Sequence, residues 1–261
     1  MALFPPVEHR EYRNTFLVNT FVVLNFEKRS IENCGESIRR NLTDFLRDTY
    51  LTEGNHNYPS EGLQLSRSDN RVAFEYTPTL AVARVSQGAY TTFAASMIPE
   101  VYKLRRFVFG VLGIEKVQRV DVRKISIFPM QIEGEEPTSE SLNEHLSMIL
   151  SEDVLSLMPM DEIEGPSGSI GKFTRYRMAD DETGYRYMIL VGMVKDSERE
   201  HIYNVILDAT CYYTLAAGIT EAKLEELLRR MNQSVYELYH WSVRDHVLEF
   251  MNRDLGHETG V

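Results

Sequence analysis

From Thr15 to Phe26 the chain is apolar on both of the faces that a period of two defines. Phe16, Val18, Val22, Leu24 and Phe26 share one side, and Leu17, Phe21 and Val23 the other. That pattern predicts a strand inside a sheet, covered on both sides. Ser30 is placed to cap a helix to about Tyr50, with Ile31, Cys34, Ile38, Leu42, Phe45 and Leu46 at helical spacing. Thr52 to Ser60, rich in Gly, Asn, His and Pro, reads as a loop. Short strands are expected at Leu63 to Arg67, Arg71 to Tyr76 and Leu80 to Ser86. Ser68-Asp69-Asn70 makes a tight turn, because Asp and Asn tolerate left-handed backbone. A helix from Met97 to Leu112 carries Pro99 near its start and stops at Gly113, and a long strand, Val117 to Phe128, follows.

Acidic residues at Glu133, Glu135 and Glu136 mark a boundary. Beyond it, the pattern predicts a helix capped by Thr138 and running to Leu150. Strands follow at Lys172 to Met178, Tyr185 to Val194 and Ile202 to Thr214, and Thr220 caps a helix reaching about Asn252. The chain thus divides into an N-terminal β-α-β-β-β-α-β half (1–132) and a C-terminal α-β-β-β-α half (133–261), as two units or one continuous domain. Strands joined by short turns pair antiparallel, and helices interrupt them irregularly. The fold class is α+β, with mainly antiparallel sheet, packed helices and a long C-terminal helix.

A chain of 261 residues with 43% hydrophobic and 26% charged residues can bury a substantial core. Its formal net charge of -11 argues against a general nucleic-acid or anionic-membrane surface. The N-terminus lacks the basic and apolar regions of a signal peptide, and no apolar run approaches ~18 residues. The two cysteines, Cys34 and Cys211, lie in apolar segments and read as buried thiols. A cytoplasmic protein is expected.

No complete catalytic, metal or nucleotide motif is present. Gly165 to Phe173 superficially resembles a phosphate loop, but Pro166 stands where the first Gly belongs and Phe173 replaces the magnesium-binding Ser or Thr. His240 and His246, six positions apart on one helix, face different ways, so one helix cannot offer both to a metal. No catalytic residue, cofactor or metal site is expected.

Two segments stand out. Along Val117 to Ile125, alternation sends Val120, Val122 and Phe128 to one face and Arg119, Asp121 and Arg123 to the other. Three charges in a row need water or partners, so they form either a solvated ion-paired face or an anion-binding or subunit-contact patch. Arg175, Arg177 and Arg186 enlarge that patch if their strands are neighbours. In the last helix, Tyr236, Tyr239, His240 and Trp241 bunch within six residues. A helix that is aromatic all round packs against several neighbours or lies in a subunit interface.

The strand-helix-strand course from Tyr90 to Ile127, with Arg119 ahead of Val120-Asp121-Val122-Arg123-Lys124-Ile125, resembles a sporadically distributed family of uncharacterised prokaryotic proteins. That family's strand reads Arg-x-Gly-Leu-Arg-Tyr-x-Asn. The final helix, from Leu224 through Met231, Asn232, Val235, Tyr239, Val243 and Val247, is similar to the family's C-terminal helix. Arg119 and Arg123 are the positions that carry over. Asp121 and Lys124 depart from the pattern, and Asn232 stands where the family often has His. The resemblance implies the order of elements and no activity.

These readings lead to an expectation of a non-enzymatic binding or assembly protein, self-associating as a dimer or joining another protein, with neither membrane nor nucleic acid as partner. The alternatives are an enzyme or sensor for a small anion near Arg119 and Arg123 and, from the family's scattered occurrence, an accessory component of a prokaryotic defence or toxin-control locus.

Overall fold

In a computed structural model the structure describes residues 3–8, 12, 15–29, 40–41, 44–45, 54–57, 63–67, 69–132, 139–157, 173–196, 198–199 and 201–253. The first half supplies β1 (Leu17–Asn25), β2 (Gly54–Asn57), β3 (Leu63–Arg67), β4 (Val72–Thr77) and β5 (Leu80–Ser86). It then continues through a π-helical turn (Phe93–Met97), α1 (Ile98–Arg105) and a second π-helical turn (Arg106–Val111) into β6 (Lys116–Gln131). The second half supplies α2 (Ser139–Ile149), α3 (Glu152–Ser156), β7 (Phe173–Ala179), β8 (Arg186–Lys195), β9 (Ile202–Thr220), α4 (Glu221–Ser242) and α5 (Asp245–Asn252).

The strands form one antiparallel sheet in the order β2-β3-β4-β5-β1-β6-β9-β8-β7. The α+β class expected from the sequence is therefore observed. The β1/β6 seam, where Val22 pairs with Val122, has five strands on the β1 side and four on the β6 side. On one side of that seam β5 lies next to β1, and on the other β9 lies next to β6.

Alternation decides what each face does. Val22 and Leu24 of β1, Val120 and Val122 of β6, and Leu207 and Cys211 of β9 are buried under helices. α1 packs beside β5, and α4 packs on β6 and β9. The aromatic centre of the first half joins Phe45, Phe74, Tyr76 and Phe107, with Phe74 and Phe107 edge to face at 4.9 Å.

The strands read from the pattern are found at their expected places, and Asn70 takes the left-handed conformation (φ 56°) its turn needs. Three local expectations change. Gly54–Asn57, read as a loop, is β2, because pairing with β3 from Gly54↔Arg67 to Asn57↔Gln64 outweighs poor strand propensity. Thr220 stands at the N-cap of α4, but its side chain makes no capping bond. The last helix is also two. At Val243 and Arg244 the backbone is extended, and the end of α2 takes its hydrogen bonds: Arg244 N donates to the Ile149 carbonyl at 2.9 Å, and Ser151 N to that of Ser242 at 3.0 Å. Most of the expected 30–50 helix, Cys34 and the Gly165 loop lie outside the described residues, although residues 40–41 and 44–45 are helical.

Candidate functional site

The face opposite the helices carries no packed helix among the described residues. Cross-strand pairing fixes its rows. One runs Arg177, Met188, Thr210, Arg123, Phe21, Arg84 and Ala73 from β7 to β4. The next includes Arg186, Tyr212, Asp121, Val23, Val82 and Glu75. Across the described strands this face holds six arginines (Arg84, Arg119, Arg123, Arg175, Arg177 and Arg186) against three carboxylates (Glu75, Asp121 and Asp208). Its formal balance is thus +3 within a chain of net charge -11.

Arg119, Asp121 and Arg123 project together, as the period of two requires, and the fold also gives them partners. Arg119 clamps Asp121 from Nε at 2.6 Å and Nη2 at 3.0 Å, and its guanidinium lies 4.1 Å from the centre of the Tyr212 ring. Arg123 turns to β9 instead: Nε donates to Asp208 Oδ1 at 2.9 Å and Nη2 to Oδ2 at 2.6 Å. The arginine side chains remain 40% and 41% exposed, while Asp121 and Asp208 keep only 13% and 5%. Burial raises the Asp121 carboxyl above the ordinary carboxylate range, against the opposing pull of Arg119 and then Arg123. Between these pairs lie half-buried Phe21, Val23, Val82, Ile125, Ile127, Leu190 and Ile206. The surface is therefore apolar ground crossed by fixed ion pairs.

The aromatic cluster of α4 is occupied within the chain. Tyr236 stacks on Tyr12 with centroids 6.3 Å apart, and His240 Nε2 hydrogen-bonds the Tyr12 hydroxyl. Trp241 packs on Phe4 at 5.3 Å, and the Tyr239 hydroxyl meets Met251 Sδ at 3.5 Å. The N-terminal segment thus lies along this helix.

Two residues that the sequence did not mark as site candidates matter here. Asp208, the Arg123 partner, is signalled only as a lone acid within the apolar run Ile206 to Ala209. Lys124 falls by parity on the valine face and is buried there, with no carboxylate within ion-pairing distance among the described residues; desolvation lowers its ammonium to about 8. Cys211 is buried and free, and burial pushes its thiol far above the reactive range. Among the described residues no group of three His, Cys, Asp or Glu could hold a metal, and no helix is long and apolar enough to cross a membrane. At one end of the sheet, Lys28, Arg29, Glu115, Lys116 and Gly218 line an open cleft of about 530 Å³.

No family model matches the chain, and no curated protein matches it. Among solved structures it is similar to Methanococcus jannaschii TBP at 12% identity, over 85% of this chain and 97% of that one, with a TM-score of 0.27. A likeness that loose carries no argument about site or function.

Proposed function

We infer that the chain is a non-enzymatic binding protein that assembles through its open sheet face, with a second copy as the first partner to test. The observation behind this reading is the contrast between the two faces. One is closed by helices, while the other offers half-buried aliphatic side chains among arginines already held by acids. Such a surface gains by apolar contact and keeps its charged groups oriented, as interface cores with fixed ion pairs do. Because Arg119 and Arg123 each hold a carboxylate, a small anion would have to displace Asp121 or Asp208, and the anion-enzyme reading is weaker for that reason.

Light scattering over a concentration series is the test. The expected result is a mass above 30.2 kDa at high micromolar protein, returning to the monomer in Ile125→Asp. A strictly monomeric wild type overturns self-association. A thermal-shift screen with phosphates, nucleotides and carboxylic acids checks the competing idea. Stabilisation of the wild type that is lost in Arg119→Ala and Arg123→Ala would favour the anion site.

A further inference from the structure

The arginines of the open face are not equivalent. Arg119 and Arg123 hold acids, Arg84 donates to the Asn70 carbonyl at 3.3 Å, and Arg186 reaches Asp181 at 3.2 Å. Arg175 and Arg177 on β7 are exposed and have no carboxylate in range among the described residues. They lie opposite Leu190 and Met188 in the β7/β8 register, and Arg186 follows on the same face, opposite Ala179. Arg186 is paired, but Arg175 and Arg177 leave this corner with two cations lacking an acid among the described residues, in a chain whose formal net charge is -11.

It also coincides with a sheet edge. β7 ends the strand order, so among the described residues one row of its backbone N–H and C=O groups has no strand beside it. An added strand would satisfy that row and set alternate side chains next to Arg175 and Arg177, which lie ~6.6 Å apart along an extended backbone. A second β7 fits badly, since a ladder of two such strands would bring arginine rows side by side. A nucleic acid could neutralise the guanidinium groups but has no alternating donors and acceptors for the backbone row.

We propose that the β7 edge docks an extended segment of another polypeptide with carboxylates at alternate positions, which pairs as a further strand and places acids on Arg175 and Arg177. This goes beyond assembly through the central face. Ile125→Asp leaves β7 intact, so either idea can fail alone.

Fluorescence anisotropy on the full chain tests the proposal with a labelled peptide alternating glutamate and valine, a same-composition peptide with its glutamates in one block, and an oligo-thymidine strand. The alternating peptide is expected to bind about tenfold more tightly than the block peptide. It should also protect amides of residues 173–179 from hydrogen exchange. The double variant Arg175→Glu/Arg177→Glu should weaken binding by about tenfold or more, while Lys223→Gln on α4 has no effect. Both arginines are exposed, and an unchanged melting temperature checks that the double variant folds. Equal binding of the two peptides, binding of the oligonucleotide alone, or an alternating peptide indifferent to the double variant overturns the proposal. Absence of all binding also overturns it, and leaves the arginines as charges that only keep the edge from pairing.

Discussion

Lys124 sits on the covered side of β6, between Thr20 of β1 and Ala209 of β9, with its ammonium 6.0 Å from the centre of the Tyr90 ring. A cation–π contact at that distance offsets little of the cost of burying an ammonium. The sign of the pH effect follows. The unfolded lysine keeps its proton to ~10.4, and the buried one releases it near 8, so between these values the unfolded chain binds more protons and stability rises with pH. Below about 8 the whole penalty, roughly 3 kcal/mol, is present. Lys124→Met is therefore expected to stabilise the fold by about 2 kcal/mol at neutral pH and to flatten the alkaline rise, as urea melts across pH would record. The Arg123–Asp208 pair works the other way. Arg123→Ala leaves a 5%-exposed carboxylate without its guanidinium and should cost about 1–3 kcal/mol. Asp208→Asn added to it should recover part of that loss, which a double-mutant cycle measures. The arginine row itself was readable from alternation. Ion pairing along the row was expected too, and Arg119 does take Asp121 two residues away; the Arg123 partner was not readable, because Asp208 lies 85 positions distant on another strand.

At the scale of elements, β9 is longer than its alternation suggested, because it pairs with β6 twice. Arg119 faces Thr214 and Val117 faces Ile219, so residues 215–218 bulge out between the two pairings. Gly218 makes this possible. It lies at φ +74°, and a Cβ there would stand 2.7 Å from Lys116 Cβ. Gly218→Ala should therefore cost about 1–3 kcal/mol in denaturant titrations through strain and displacement together. The break between α4 and α5 has a comparable origin. Nothing in the sequence from Ser242 to Asp245 is a glycine or proline stop, and the apolar periodicity runs on. The helix ends because the α2 terminus supplies better-placed backbone partners, including the Leu150 carbonyl for Arg244 Nε at 3.2 Å.

Over the whole molecule, the two halves share one sheet, and the N-terminal segment ties across it. Phe4 is 3% exposed, edge-to-face with Tyr187 of β8 at 4.9 Å and against Trp241 of α4. Phe4→Ala should cost roughly 2–4 kcal/mol and shift the emission of Trp241, the only tryptophan, toward that of a solvated indole. A melting curve and a fluorescence spectrum of the folded variant check both effects. The same contacts account for the aromatic bunching of α4, which the sequence read as either core or subunit interface and which largely meets the chain's own segments here.

Local pattern alone determined the α+β class, eight of the nine strands and their turns, and which side chains of β6 share a face, because alternation, turn chemistry and helical spacing are properties of neighbouring residues. Strand order, the pairing of Arg123 with Asp208, the strand at Gly54–Asn57 and the break at Val243 were decided only when distant segments met. Each of these depends on a hydrogen bond or ion pair whose other half lies elsewhere in the chain, and short-range periodicity carries no information about that partner.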